Sequence, residues 1–209
     1  MHQGFVKTEN YARFAAGVRA VESRGAAEAG MMLVHGLPGL GKSHIVYRWA
    51  EEAGAVYLRA NVDWTPKYFL CELAKALYLD TRGTAQQLFE RCLRVLIERQ
   101  CPIIIDESEF TLRDGAAVLE KIRDFSDRAE VTVVLIGMEQ IQRNIGRHKQ
   151  ISSRIAHVVE FAPARRRMWH WPAPNSVSLN CPRPCLRRSC ACPPGACARC
   201  STSLPALSR

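Results

Sequence analysis

Residues 31–44, MMLVHGLPGLGKSH, decide the fold of this chain. An apolar run leads into a glycine-rich loop, and a sequence suited to a helix follows. The pattern G-x-x-x-x-G-K-[ST] is met by Gly36, Gly41, Lys42 and Ser43, between the predicted strand and the predicted helix. Glycines let backbone N–H groups converge on phosphate oxygens, and the start of the helix adds a partial positive charge. The stretch therefore predicts a site for the phosphates of a nucleoside triphosphate.

Two side chains in this loop have predicted roles of their own. Lys42 would reach the outer phosphates, and the Ser43 hydroxyl would ligate magnesium. A purely structural glycine turn would not require a lysine and then a hydroxyl residue directly after its last glycine. The residues predicted to hold the nucleotide are Gly36, Leu37, Pro38, Gly39, Leu40, Gly41, Lys42, Ser43 and His44.

Positive charge is distributed unevenly along the chain. The 209 residues suffice for one α/β domain with a sizeable core, and the net charge is +9. Residues 164–209 hold eight arginines and no acidic residue, which leaves 21 basic and 20 acidic residues in the rest. The basicity belongs to the tail, so the near-neutral remainder is not by itself a DNA-binding signature.

The cysteines and the N-terminus predict a cytoplasmic protein. Only Cys71, Cys92 and Cys101 precede the tail, in apolar contexts typical of reduced thiols that fill a core. Residues 1–25 are polar and helical, unlike a secretory signal. No stretch approaches the roughly 20 apolar residues that a membrane span needs. We therefore expect no membrane partner.

The remaining pattern alternates helices with apolar strands. We predict helices over residues 8–21, 43–53, 66–79, 84–99 and 115–129, and further strands over 55–60, 103–105, 131–136 and near 158–161. Strands that are apolar on both faces and alternate with helices indicate an α/β fold with a mostly parallel sheet flanked by helices. The ligand site of such a sheet lies at the carboxyl ends of its strands.

Two carboxylates follow one of these strands. Asp106 and Glu107 come directly after the apolar residues 103–105. Beside bound phosphates, Asp106 would orient magnesium through its water shell, and Glu107 would activate the attacking water. The alternative is an ordinary solvated strand end. The predicted magnesium-binding residues are thus Ser43 and Asp106.

Two weaker candidates lie further along the chain. The strand over 131–136 should run next to the Asp106 strand, but Gly137 and Met138 at its end supply no side-chain donor, and Gln140 is the nearest neutral one. Arg154 precedes the apolar stretch 158–161 and would suit an arginine finger, which stabilises charge developing on a transferred phosphoryl group. A surface arginine near a strand explains its position equally well.

These motifs, in this order, resemble the AAA+ ATPases of the phage Mu B transposition type, which are related to initiator-like ATPases. The resemblance rests on the phosphate loop, on IIIDE at 103–107, VLIGM at 134–138 and SRI at 153–155, and on softer matches at 5–11 and 57–66. It covers about residues 4 to 163. It implies a P-loop NTPase fold of the AAA+ type.

The resemblance also implies a function. Members of this group bind ATP and magnesium, assemble as a ring or filament on duplex DNA, capture a target site and stimulate a transposase. Asp106 and Glu107 would then act on ATP bound by the same subunit, and Arg154 on ATP bound by the next. Lys67 and Lys75 are candidates for sequence-tolerant contacts with DNA phosphates, although a solvated helix face explains them as well. A helicase loader or replication-initiator ATPase, and a non-catalytic ATP-binding remnant or interaction protein, remain open alternatives.

The tail departs from that group. We divide the chain into an N-terminal helical segment (1–27), an ATPase core (28–163) and a tail rich in Cys, Pro and Arg (164–209). Seven prolines and the lack of helical periodicity in the tail exclude the helical lid that AAA+ proteins carry there. The tail is predicted to be disordered. It has the composition of a gene read out of frame, but its six cysteines would also suit a zinc site and its arginines a basic arm. Loss of the lid would weaken nucleotide binding and assembly and impair hydrolysis.

Overall fold

The computed structural model describes residues 8–23 and 30–163. The predictions made for the tail, whether out of frame, zinc-binding or a basic arm, lie outside the described residues. No helix in the described ranges combines the length and the apolar character that crossing a bilayer requires.

Within these residues, five parallel strands form one sheet in the order β2-β3-β4-β1-β5. The strands are β1 (Met31–Gly36), β2 (Val56–Arg59), β3 (Ile103–Asp106), β4 (Val133–Ile136) and β5 (Ile155–Phe161). Every residue of β1, β3 and β4 is buried, because these three strands lie inside the sheet and helices cover both faces. The predicted α/β fold with a parallel sheet is confirmed.

Helices connect the strands and pack on the two faces of the sheet. They are α1 (Glu9–Glu22), α2 (Lys42–Ala53), α3 (Pro66–Ala76), α4 (Ala85–Arg99), α5 (Ala117–Ala129), α6 (Ile141–Gly146) and α7 (Lys149–Ser152), with short 3-10 helices at Ser108–Leu112 and Asp114–Ala116. Local side-chain bonds fix several starts. The Tyr11 N–H donates to Thr8 Oγ1, and Thr84 and Gln87 form a reciprocal capping box at α4.

Side chains of β1 alternate between two hydrophobic cores. Leu33 packs into the larger core with α3, α4 and α5, whereas Val34 packs into the smaller core, to which Phe14 of α1 and Val46 of α2 contribute. Helix α1, from the segment 1–27, thus shares a core with strands of the segment 28–163.

Two helix boundaries differ from the prediction by two residues or more, and backbone conformation explains both. Helix α3 ends at Ala76 rather than 79, because Tyr78 adopts a left-handed conformation with φ 62°. Helix α5 begins at Ala117 rather than 115, because Ala116 has φ 65° and interrupts the helical turn before it. Neither difference moves a strand end.

The early cysteines are free thiols within or against the larger core, as predicted. Cys92 is fully buried, while Cys71 and Cys101 are partly buried. Burial raises the pKa of the Cys92 thiol to about 12, so it stays protonated and inert at neutral pH.

Candidate functional site

The loop between β1 and α2 starts at the carboxyl edge of the sheet. Gly36, the last residue of β1, pairs with Phe161 and has φ 149°. A Cβ atom at Gly36 would lie 2.6 Å from the Phe161 carbonyl oxygen. Only glycine lets the loop begin beside the β5 backbone in this way, so the first glycine of the motif is required by packing as well as by phosphate binding.

Lys42 places its ammonium group inside the loop. Its Nζ donates to the carbonyl oxygens of Gly36 and Leu37, at 2.8 Å each. Partial burial lowers the pKa of Lys42, and the carboxylates of Glu109 and Asp106 oppose that change. The positive charge therefore lies where the loop backbone curls, ready to meet phosphate oxygens.

Asp106 is a buried carboxylate with a fixed orientation. It ends β3 with 7% of its surface exposed. Its Oδ1 accepts a hydrogen bond from the Glu107 N–H at 2.8 Å, and its Oδ2 accepts one from the Tyr57 hydroxyl at 2.6 Å. One donor on each oxygen prevents the carboxylate from rotating.

Glu107 follows in a left-handed conformation, with φ 54°. This conformation turns its side chain toward the end of β2, where Arg59 Nη2 lies 2.5 Å from Glu107 Oε1. The register explains the contact, because Arg59 is the residue of β2 that pairs with Asp106. The carboxylate predicted to activate water is thus held by an arginine in this structure.

Glu109 is a third carboxylate at this edge, and the sequence reasoning missed it. Its Oε1 accepts a hydrogen bond from the Met138 N–H and lies 2.7 Å from where a Cβ of Gly137 would be. The end of β4 offers no side-chain donor of its own, and the Glu109 carboxylate, from the 3-10 helix after β3, lies against it. Gln140, the neutral residue considered for this place, is exposed at the start of α6 and does not line the cleft described next.

A cleft of about 310 Å³ brings most of the predicted residues together. Its walls come from the loop after β1, the end of β3 and the end of β4. They include Pro38, Gly39, Gly41, Lys42, Ser43, His44, Asp106, Glu107, Glu109, Ile136, Gly137 and Met138. Of the remaining predicted residues, Gly36 and Leu37 hold the lysine through their carbonyl groups, and Leu40 is half-buried.

The residues present fit a nucleotide with magnesium. The Lys42 ammonium and the N-terminus of α2 supply positive charge for phosphate oxygens. The Ser43 hydroxyl and the Asp106 carboxylate line the same cleft, and oxygen atoms are the ligands that Mg²⁺ prefers.

Arg154 is not brought to this cleft. It directly precedes β5, and its carbonyl oxygen accepts a bond from the Met31 N–H at 3.1 Å, at the amino ends of both strands. The phosphate loop lies at the carboxyl ends, across the sheet. Arg154 Nε lies 3.2 Å from Asp127 Oδ2. The arginine therefore cannot serve the site of its own chain, and action on a neighbouring subunit stays a prediction.

The two lysines considered for DNA lie on α3 and are exposed. Lys75 Nζ forms an ion pair with Glu72 Oε1 at 2.7 Å. A contact of Lys75 with DNA would compete with this pair, so Lys67 is the better placed of the two.

The sheet order and the cleft together define a nucleotide-binding α/β protein of the P-loop class. Comparison with protein families identifies the family within this class: the model described as "AAA domain" matches residues 25–145. The chain belongs to this family of P-loop ATPases. The comparison with curated proteins gave no match.

Solved structures share this fold at low sequence identity. Cdc6p from Pyrobaculum aerophilum matches with a TM-score of 0.55 and 15% identity, over 74% of this chain and 45% of that one. PCH-2 from C. elegans (TM-score 0.44, 19% identity, 78% and 45% covered) and a DNA replication initiation factor (0.47, 14%, 77% and 48%) are also similar. The chain spans less than half the length of each of these proteins.

Proposed function

We propose that this chain binds ATP with magnesium and hydrolyses it, as an AAA+ ATPase that acts on DNA. The observation that carries the proposal is the convergence of Lys42, Ser43, Asp106 and Glu107 on one cleft from two separate strand ends, those of β1 and β3. These groups supply what phosphoryl transfer to water requires: a cation for the phosphates, oxygens for magnesium and a base for the water.

Each group has a role in the proposed reaction. Lys42 would leave its loop carbonyls to bind the outer phosphates, Ser43 would ligate magnesium, and the fixed Asp106 carboxylate would orient the water shell of the metal. Glu107 would accept a proton from the water that attacks the terminal phosphate, whose bond to the ADP leaving group then breaks. Magnesium neutralises charge on the phosphates when it is bound. Glu107 would first have to leave Arg59, because the guanidinium holds its Oε1 atom at the end of β2.

The proposed client is a transposase, which the ATPase activates after capturing a DNA target. This assignment rests on the resemblance to the Mu B type. DNA contacts would go mainly to phosphates, with Lys67 and Lys75 as candidates, so binding would tolerate any sequence and fall steeply with salt. Self-association into a ring or filament, with Arg154 entering the next subunit's site, and a cytoplasmic location belong to the same proposal.

A replication-initiator or helicase-loader ATPase is the second candidate function. It is motivated by the relation of the Mu B type to initiator-like ATPases; Cdc6p shares the fold, which at 15% identity identifies no client. Co-purification from cells separates the two: recovery of a transposase supports the first, and recovery of a replicative helicase without a transposase supports the second.

Hydrolysis of ATP, measured with and without duplex DNA, tests the proposal. We expect magnesium-dependent turnover that duplex DNA of any sequence stimulates, because DNA promotes the assembly that completes the site. Lys42→Ala should lower turnover to background, since the phosphates lose their cation. Glu107→Gln is the matched variant: it should lose turnover about a hundredfold or more but keep ATP binding, because it removes the base alone.

Failure has a clear form. Magnesium-ATP binding without turnover at any protein or DNA concentration would make the chain the non-catalytic ATP-binding protein considered above. Equal ATP binding by wild type and Lys42→Ala would contradict the assigned site itself.

A further inference from the structure

Tyr57 is a polar side chain of the cleft region to which the sequence motifs assign no role. It lies on β2, on the sheet face that carries α2, and it is half-buried. The register pairs Tyr57 with Ile104, so its ring runs along the sheet toward the end of β3. Its hydroxyl reaches Asp106 Oδ2 at 2.6 Å.

The bond acts on the one carboxylate that must face the metal. Asp106 accepts one hydrogen bond on each oxygen, from the Tyr57 hydroxyl and from the Glu107 N–H at 2.8 Å. A carboxylate oxygen has two acceptor positions, so each keeps one for the water shell of a metal ion. The two donors therefore set the plane of the carboxylate without consuming its capacity to receive metal-bound water.

The surroundings keep the Tyr57 ring in place. The ring packs edge to face against Tyr47 of α2, with centroids 5.4 Å apart and planes at 79°. Tyr47, Tyr57, Ser43 and Asp106 line one continuous recess beside the phosphate loop.

We propose that Tyr57 is a positioning residue for magnesium, acting through Asp106. This inference rests on the proposed function and adds to it a group outside the two motifs. Groups that orient a metal ligand commonly lower metal affinity when they are removed. Tyr57 should therefore affect the magnesium requirement of nucleotide binding and leave metal-free binding unchanged.

The test is equilibrium binding of a fluorescent ATP analogue to the full chain, titrated with MgCl₂ and repeated in EDTA. Tyr57→Phe keeps the ring and its contact with Tyr47 and removes only the hydroxyl. We expect the magnesium concentration at half-maximal effect to rise about tenfold, with unchanged affinity in EDTA. Tyr47→Phe is the matched control, because it removes a hydroxyl from the adjoining ring that does not bond to Asp106; its magnesium midpoint should equal that of wild type.

Each other outcome overturns the inference in a distinguishable way. An unchanged midpoint in Tyr57→Phe, or an equal rise in Tyr47→Phe, excludes positioning by the Tyr57 hydroxyl. An equal loss of affinity with magnesium and in EDTA would mean that Tyr57 only maintains the fold. No binding by wild type in either condition would overturn the proposed function, and this inference with it.

Discussion

Glu107 is both the proposed base and a member of an ion pair, and these two states exclude one another. Its partner Arg59 lies at the end of β2, with 69% of its side chain exposed, against 38% for Glu107. Hydrogen bonding to Glu107, and then its charge, raise the pKa of Arg59, so the arginine stays charged at any working pH. An exposed pair of this kind adds little to stability. The ion pair matters instead because Arg59 holds the proposed base, Glu107, before the reaction begins.

Removing Arg59 should therefore increase turnover in the absence of DNA. We expect Arg59→Ala to raise basal ATP hydrolysis by roughly twofold to fivefold, the modest change that release of an exposed ion pair allows. The measurement is steady-state ATPase activity without DNA. The reason is geometric: the Glu107 carboxylate becomes available to water.

Arg48→Ala is the control for this prediction. Arg48 also pairs with a glutamate, Glu52, one helical turn further along α2. Its removal takes away the same charge and should leave turnover unchanged. A fall in the activity of Arg59→Ala would mean instead that the arginine assists the reaction.

At the scale of elements, α1 is fitted closely against the sheet through Gly17. A Cβ at this position would lie 2.7 Å from Val159 Cγ2, 2.9 Å from His157 Cδ2 and 3.0 Å from Met32 Sδ. Helix propensity alone favours alanine over glycine by about 1 kcal/mol. The packing of α1 on β5 and β1 reverses that preference.

Gly17→Ala should accordingly destabilise the protein. Overpacking of a well-filled core costs about 1 to 3 kcal/mol, which exceeds the gain in helix propensity, so we expect a net loss of about 1 kcal/mol in the free energy of unfolding. Urea denaturation measures it. In Gly146→Ala, at the end of α6, the added Cβ meets nothing within 4 Å, so this control should be at least as stable as wild type. Stabilisation by Gly17→Ala would show that α1 is not packed as described.

Local motifs could be predicted from the sequence, whereas contacts between different strands could not. The strand–loop–helix at 31–44 and the acidic end of β3 follow from local patterns, and both were predicted. The contacts of Tyr57 and Arg59 depend on β2 lying beside β3 in a particular register, which no local pattern encodes. One general rule could have pointed to Arg59: polar residues at the carboxyl end of a predicted strand in a parallel sheet lie near the ends of the neighbouring strands. Glu109 was missed for the same reason, since its partner Met138 lies just after β4, in a different part of the sequence.

At the scale of the whole molecule, the proposed arginine finger and the phosphate loop lie at opposite edges of the sheet. The Arg154 backbone bonds to Met31 at the start of β1, whereas the loop begins at Gly36. Two copies of the chain are therefore the least that could place Arg154 at a nucleotide. Its side chain is held by Asp127, which also faces Arg123 Nε at 3.8 Å. Arg154 would therefore have to leave Asp127 of its own chain before it could enter a neighbouring site.

Mixing two inactive variants tests whether the active site is shared between chains. Arg154→Ala has an intact phosphate loop but no finger, and Glu107→Gln has a finger but no base. Each should hydrolyse ATP at least about a hundredfold more slowly than wild type when alone, because an arginine finger contributes about 10³–10⁵ to phosphoryl transfer and a general base about 10²–10⁴. Mixed in the presence of DNA, they should regain part of the wild-type rate, because some Arg154→Ala sites then adjoin a chain that supplies Arg154.

Arg123→Ala is the matched control: it disrupts the same charged cluster, keeps Arg154 and should retain turnover. Two folded variants that stay inactive when mixed, or an active Arg154→Ala alone, would contradict a finger supplied by the neighbouring chain.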